Sequence, residues 1–105
     1  MKIQQKQIPN SNIVILSFGH TLEKDTLTGS IELDIENQHQ FVDHINTTLD
    51  NGETNIILLM DNITYIDSSG LWALFESQKK TENRNGKMIL LKFCMKNIMT
   101  KMESL

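Results

Sequence analysis

Two adjacent serines, Ser68 and Ser69, lie where an apolar strand pattern gives way to an apolar helix pattern, and they are well placed for chemistry. The strand pattern is the run at residues 55–60, and the helix pattern begins at Leu71. Backbone N–H groups in the first turn of a helix lack intrahelical partners and carry partial positive charge, so this end accepts anions. A serine here either caps the helix or, once phosphorylated, holds its phosphate against the same N–H groups.

Four residues near the serines each allow two interpretations. Asp67 either complements the helix dipole or positions Ser68 for a kinase. Asp61, at the end of the apolar run, is either a turn residue or part of a partner surface. Gly70 either lets another backbone approach closely or relieves crowding where the chain enters the helix. Trp72 is either an anchor for a partner or a core residue.

Other side chains that could support catalysis or metal binding are poorly arranged for it. The chain lacks the Gly-x-Ser-x-Gly motif of serine hydrolases and any P-loop or Gly-rich nucleotide motif. His20, His39 and His44 all lie in the N-terminal half, and the last two are not spaced like the metal-binding pairs of helices. Cys94 lies in an apolar run that is typical of burial. We therefore expect no enzyme activity, no metal and no cofactor.

Hydrophobic periodicity and turn residues predict an α/β fold, a small mixed four- to five-stranded sheet with helices packed on it, in one domain spanning residues 1–105. The predicted strands are residues 2–8, 12–18, 54–60 and 87–94, and the predicted helices are residues 35–49, 69–81 and 95–105. The strand at 54–60 reads as buried on both faces. Asp34 is the predicted N-cap of the first helix, and residues 19–33 read as a long polar loop.

Two apolar helix faces follow from the same periodicity. The first helix is expected to bury Ile35, Val42, Ile45 and Leu49, and the second to align Leu71, Leu74, Phe75 and Gln78. Met95, Ile98, Met99, Met102 and Leu105 have the same helical spacing and predict a third helix that packs on the sheet.

Charge and hydropathy narrow the classes of partner. The chain has 105 residues, 10 basic and 13 acidic side chains and a net charge of −3, which does not favour nucleic-acid binding. Eleven acidic residues and a single lysine, Lys24, lie between His20 and Glu76. This segment is either an ordinary solvated face or an acidic surface for a basic partner. No transmembrane-length stretch or signal-peptide core is present, so we expect a cytoplasmic protein without direct membrane insertion.

The segment from Asp61 to Leu71, with Asp-Ser-Ser-Gly at residues 67–70, resembles the signature of STAS-domain proteins and, among them, the bacterial anti-sigma factor antagonists. In that family the first serine of this motif is phosphorylated by a partner that is both a kinase and an anti-sigma factor. The resemblance assigns this role to Ser68. Trp72 departs from the family pattern, which commonly has glycine or a small residue at this place on the partner-facing surface.

The resemblance implies a phosphorylation-regulated anti-sigma factor antagonist. With Ser68 unphosphorylated, the chain would bind an anti-sigma factor/serine-protein kinase, and phosphorylation would release it. The implied partner surface consists of Asp61, Asp67, Ser69, Gly70 and Trp72 around Ser68, with the 19–33 loop as a further contact. The alternative is a non-phosphorylated STAS-type scaffold or transporter-associated interaction subunit, in which Ser68 is a cap and Trp72 a permanent contact.

Overall fold

The computed structural model describes residues 1–91, which form eight strands and two helices. In chain order these are β1 (Lys2–Gln7), β2 (Ile13–Gly19), β3 (Thr21–Glu23), β4 (Thr26–Thr28), β5 (Ile31–Leu33), α1 (Gln38–Asp50), β6 (Asn55–Leu59), β7 (Ile63–Ile66), α2 (Ser68–Asn83) and β8 (Lys87–Leu91). Neither of these helices is long and apolar enough to cross a membrane. The predicted helix at 95–105, the end of the strand predicted at 87–94, and Cys94 lie outside the described residues.

The central sheet has four strands in the order β1-β2-β6-β8. β1 pairs antiparallel with β2, while β2, β6 and β8 pair in parallel. Parallel neighbours need a crossover connection, and the two crossovers here contain α1 and α2. The predicted α/β fold with a mixed sheet and packed helices is thereby confirmed.

The core lies on one face of this sheet. Side chains alternate along β6, where Ile56 and Leu58 are buried while Asn55, Ile57 and Leu59 are only half-buried. The prediction that this strand is buried on both faces is therefore wrong. From β2 to β8 each new parallel strand is added on the same side, so two right-handed crossovers place α1 and α2 over one face.

Residues 19–33 are not the predicted loop. β3 and β4 form a hairpin, and its turn residues Lys24 and Asp25 both have positive φ, as two-residue hairpin turns require. β5 pairs in parallel with β7, which lies in a segment where no strand is predicted from the sequence. These strands have only three or four residues each, too few to show a clear alternation of apolar and polar side chains.

Helix α1 begins three residues later than predicted, with Asn37 rather than Asp34 as its N-cap residue. Asp34 instead forms a turn before the helix, in which its carboxylate accepts the N–H of Glu36 (3.0 Å) and its carbonyl accepts the N–H of Gln38 (2.9 Å). Ile35 lies in this turn and is 66% exposed, so it does not belong to the buried helix face. Phe41 fills the core from α1, beside the predicted Val42, Ile45 and Leu49.

Helix α2 buries a narrow stripe of mostly small side chains. Its buried residues are Gly70, Ala73, Leu74, Ser77 and Thr81. Of the four residues predicted to align, Leu74 is buried and Leu71 is half-buried, but Phe75 and Gln78 are exposed. Small residues on the buried stripe allow the helix to approach the sheet closely, and a pattern of large apolar residues does not reveal such a stripe.

Candidate functional site

The first turn of α2 is held at the carboxyl ends of β5 and β7. Ile66 ends β7 and is one residue from Asp67, while Leu33 ends β5 beside it in parallel register. The backbone N–H of Asp67 donates to the carbonyl oxygen of Leu33 at 3.2 Å. The start of α2 is therefore positioned by a strand that lies far from it in the sequence.

Gly70 is buried where α2 meets the end of β5. A Cβ at this position would overlap the carbonyl oxygen of Leu33 and would lie 2.8 Å from its carbonyl carbon and 3.0 Å from Cγ2 of Ile66. The backbone that approaches Gly70 closely is thus that of β5 in the same chain. Gly70 shapes the site from inside rather than offering a surface.

Asp67 is the N-cap residue of α2. It has extended backbone angles, its carboxylate accepts the N–H of Gly70 at 2.9 Å, and its carbonyl accepts the N–H of Leu71 at 2.9 Å. The interpretation in which Ser68 or Ser69 serves as the cap is therefore wrong. Because the neighbouring carboxylate already satisfies a first-turn N–H group, the serine hydroxyls are not needed for that purpose.

Ser68 is exposed at the first position of α2, and Ser69 is half-buried. Trp72 lies one helical turn after Ser68 on the same side of α2 and is 50% exposed. Trp72 is thus not a core residue, and the anchor interpretation stays a prediction. Ser68, Ser69, Asp67 and Trp72 form one continuous surface, which we call the Ser68 surface.

Asp61 does not belong to this surface. It precedes β7, whereas Ser68 follows it, and a four-residue strand separates them by roughly 13 Å. Its neighbour Asn62 donates to the carbonyl oxygens of Phe18 (2.8 Å) and Leu27 (3.0 Å), which ties this end of β7 to β2 and to the hairpin. The structure thus brings five of the six predicted site residues together at the start of α2, with Gly70 buried, and leaves Asp61 at the opposite end of β7.

A family model described as the STAS domain matches residues 26–93, which is more than half of the chain. The chain belongs to the STAS domain family. No curated protein matches its sequence significantly.

Solved structures show that the fold is shared with anti-sigma factor antagonists. The anti-sigma factor antagonist SpoIIAA in its unphosphorylated form is 22% identical, with a TM-score of 0.65 over 98% of this chain and 82% of that one. The phosphorylated form of SpoIIAA from Bacillus gives 22% identity and 0.64, over 98% and 81%. A candidate anti-sigma factor antagonist from Thermotoga maritima is 21% identical, with a TM-score of 0.72 over 97% and 76%.

Leu33 contacts the site of this STAS domain, although no sequence pattern places it there. Leu33 ends β5 and receives the Asp67 N–H, and Ile35 follows it two residues later. The only sequence signal was the short alternation Ile31-Glu32-Leu33, which fits a strand but does not identify its neighbour.

The segment that contains the STAS domain's Ser68 surface is strongly acidic. From Asp25 to Gln78 the sequence contains ten acidic residues and no lysine or arginine. Asp67 of this segment caps α2, and Asp34 directly follows Leu33, whose carbonyl oxygen accepts the Asp67 N–H. Within residues 1–91, no group of three or more His, Cys, Asp or Glu side chains is placed to hold a metal ion. Ser68 is thus exposed next to the carboxylate of Asp67, which caps the same helix.

Removing the cap of α2 should destabilise the STAS domain moderately. We expect Asp67→Ala to lower the free energy of unfolding by about 1 kcal/mol, because the Gly70 N–H loses its acceptor. Asp67→Asn should keep most of that stability, because an asparagine oxygen can accept the same hydrogen bond. Urea denaturation followed by circular dichroism measures both. Asp61→Ala is the matched control and should cost less than about 0.5 kcal/mol; an equal loss in the two alanine variants would contradict the capping role.

Proposed function

We propose that this STAS domain is a phosphorylation-regulated anti-sigma factor antagonist. With Ser68 unphosphorylated it binds an anti-sigma factor that is also a serine-protein kinase, and phosphorylation of Ser68 ends the complex. The observation that carries the proposal is the exposed Ser68 at the start of α2, with the capping role taken by Asp67. The likeness to SpoIIAA, which has been solved in phosphorylated and unphosphorylated forms, supports it.

The partner supplies the ATP and the catalytic groups in this scheme, so the STAS domain needs to contribute only the hydroxyl. Transfer forms a bond between Oγ of Ser68 and the terminal phosphorus of ATP and breaks the bond from that phosphorus to ADP, while a basic group of the partner takes the hydroxyl proton. After transfer, the new phosphate on Ser68 faces the remaining phosphates of ADP. Like charges about 4 Å apart repel by roughly 4 kcal/mol at an effective dielectric constant of 20, so the complex separates.

The free domain tolerates the same phosphate because Ser68 is exposed. The phosphate adds a charge of about −1.5 to −2 beside Asp67, which in water repels by roughly 1 kcal/mol per pair of unit charges. The first-turn N–H groups of α2 stabilise the phosphate by about 0.3–1 kcal/mol, which offsets part of this repulsion. In solvent, the repulsion from Asp67 and the stabilisation by the N–H groups nearly cancel. The repulsion outweighs the stabilisation only in an interface that excludes water.

The proposed contact surface is the Ser68 surface, with Gly70 as the buried residue that lets β5 support it. Asp61 lies at the other end of β7, so a contact between Asp61 and the same partner would be separate from the Ser68 surface. Control of a sigma factor implies transcription regulation in the cytoplasm. Neither nucleic acid nor a membrane is part of the proposal.

Phosphorylation of the purified full chain tests the proposal. The chain is incubated with a purified anti-sigma factor/serine kinase from the same organism and Mg-ATP, and phosphopeptides are identified by mass spectrometry. We expect one phosphate, on Ser68, and none in Ser68→Ala. Ser69→Ala is the matched control and should still be phosphorylated. Stable binding without any phosphate on Ser68 would contradict the switch and favour a STAS-type scaffold subunit.

A further inference from the structure

Trp72 and Ile35 are exposed apolar side chains close to the start of α2, whereas the exposed Phe75 lies two helical turns beyond Ser68. Trp72 is 50% exposed one turn further along α2, and Ile35 is 66% exposed in the turn after β5. Ile35 lies two residues beyond Leu33, whose carbonyl oxygen accepts the Asp67 N–H. Both side chains therefore belong to the end of the domain at which α2 begins.

Neither side chain has an evident place in the core. The buried stripe of α2 runs through Ala73, Leu74 and Ser77, and Trp72 lies outside this stripe. Ile35 lies in a turn whose hydrogen bonds are made by Asp34 and Glu36, which flank it. Single exposed apolar residues are ordinary on protein surfaces. Two of them at the end of the domain at which another protein is proposed to act point to one binding surface.

The surrounding charge indicates what kind of surface would cover them. Asp34 and Glu36 flank Ile35, Asp67 precedes Ser68, and the whole segment from Asp25 to Gln78 lacks lysine and arginine. A protein surface with basic side chains around apolar pockets would be complementary to this arrangement. A second copy pairing through the same patch would bring identical carboxylates together, because a two-fold interface is self-complementary.

We propose that Ile35 and Trp72 are two hydrophobic anchors that fit apolar pockets on a basic surface of the anti-sigma factor. This inference rests on the proposed function and adds the residues that select the partner. Basic side chains around the anchors do not conflict with the phosphate switch, because the phosphate on Ser68 faces the nucleotide while the anchors engage the surface around it. Tryptophan is among the residues most often responsible for interface affinity.

Binding measurements on the full chain test the two anchors. The probe is the purified anti-sigma factor/serine kinase with ADP, and Kd is measured by isothermal titration calorimetry. Ile35→Ser and Trp72→Ser should each weaken binding by about tenfold or more, with unchanged circular dichroism spectra. Ile89→Ser is the matched control, since Ile89 is 49% exposed in β8 and belongs to no proposed contact, and it should change Kd by less than about twofold.

The single tryptophan supplies a second measurement. Fluorescence of the wild-type chain therefore reports on Trp72, and its emission should move to shorter wavelength when the kinase binds and covers it. Affinity should also fall as salt is raised, because the basic surface and the carboxylates are then screened.

The outcomes separate this inference from the proposed function. Normal phosphorylation of Ser68, combined with unchanged affinity in both serine variants and unchanged tryptophan emission, would overturn the anchors and leave the proposed function intact. Concentration-dependent self-association that both variants abolish, in the absence of kinase binding, would assign the patch to a second copy and overturn the inference. No binding and no phosphate on the wild-type chain would refute the proposed function and the anchors together.

Discussion

Gly70→Ala is expected to lower the free energy of unfolding by about 2–4 kcal/mol, although alanine is the better helix former by up to about 1 kcal/mol. The added methyl group would overlap the carbonyl oxygen of Leu33 and approach its carbonyl carbon to 2.8 Å. These are backbone atoms at the end of β5 and cannot move aside as a flexible side chain would. Either α2 or β5 must shift, and the hydrogen bond between Asp67 and Leu33 is strained or lost.

Thermal and urea denaturation of the full chain measure this loss, which should lower Tm by on the order of 10–20 °C. Gly52→Ala is the matched control. Gly52 has a positive φ of 88° but nothing within 4 Å of an added Cβ, so only backbone strain of about 1 kcal/mol should appear. A Gly70→Ala variant as stable as the wild type would show that β5 does not pack against the first turn of α2.

Ser68→Asp should weaken binding of the partner without unfolding the domain. The free energy of unfolding of the variant is expected to stay within about 1 kcal/mol of the wild-type value, because Ser68 is exposed and the first turn of α2 partly stabilises an added charge. Its affinity for the kinase with ADP should fall by about tenfold or more, since like charges brought together in an interface cost several kcal/mol.

Circular dichroism melts and isothermal titration calorimetry provide the two measurements. Ser68→Asn is the matched control, because it has a similar size without the charge and should keep more of the affinity. A grossly unfolded aspartate variant would contradict the electrostatic argument, because loss of binding would then follow from loss of structure. Full affinity in the aspartate variant would contradict the switch.

The Gly70 and Ser68 predictions depend on the structure to different degrees. The junction that contains Ser68 could be located from the sequence, because an apolar strand run, a polar Asp-Ser-Ser-Gly segment and an apolar helix run are local patterns. The assignment of the cap to a serine was wrong. Aspartate and serine are about equally good N-cap residues, so one residue of uncertainty in the helix start decides between them.

The contact between Gly70 and Leu33 could not be predicted. It depends on the pairing of β5 with β7, two strands too short to be recognised individually and separated by α1 and β6. Because of the same pairing, Ile35 lies in an exposed turn after β5 and not on the helix face where it was expected. Asp61, only a few residues from Ser68 in the sequence, came to lie at the other end of a strand.

The amino-acid sequence by itself determined the α/β class, the family resemblance and the position of the Ser68 hydroxyl at a strand-to-helix junction. Periodicity, turn residues and helix ends are decided by neighbours within a few positions, so they can be recognised without the fold. Only the tertiary structure decided that Asp67 caps α2, that β5 supports it at Gly70, and that Ile35 and Trp72 are exposed at the same end of the domain. These features arise from pairing between strands distant in the chain, and that pairing is selected by the packing of the whole core.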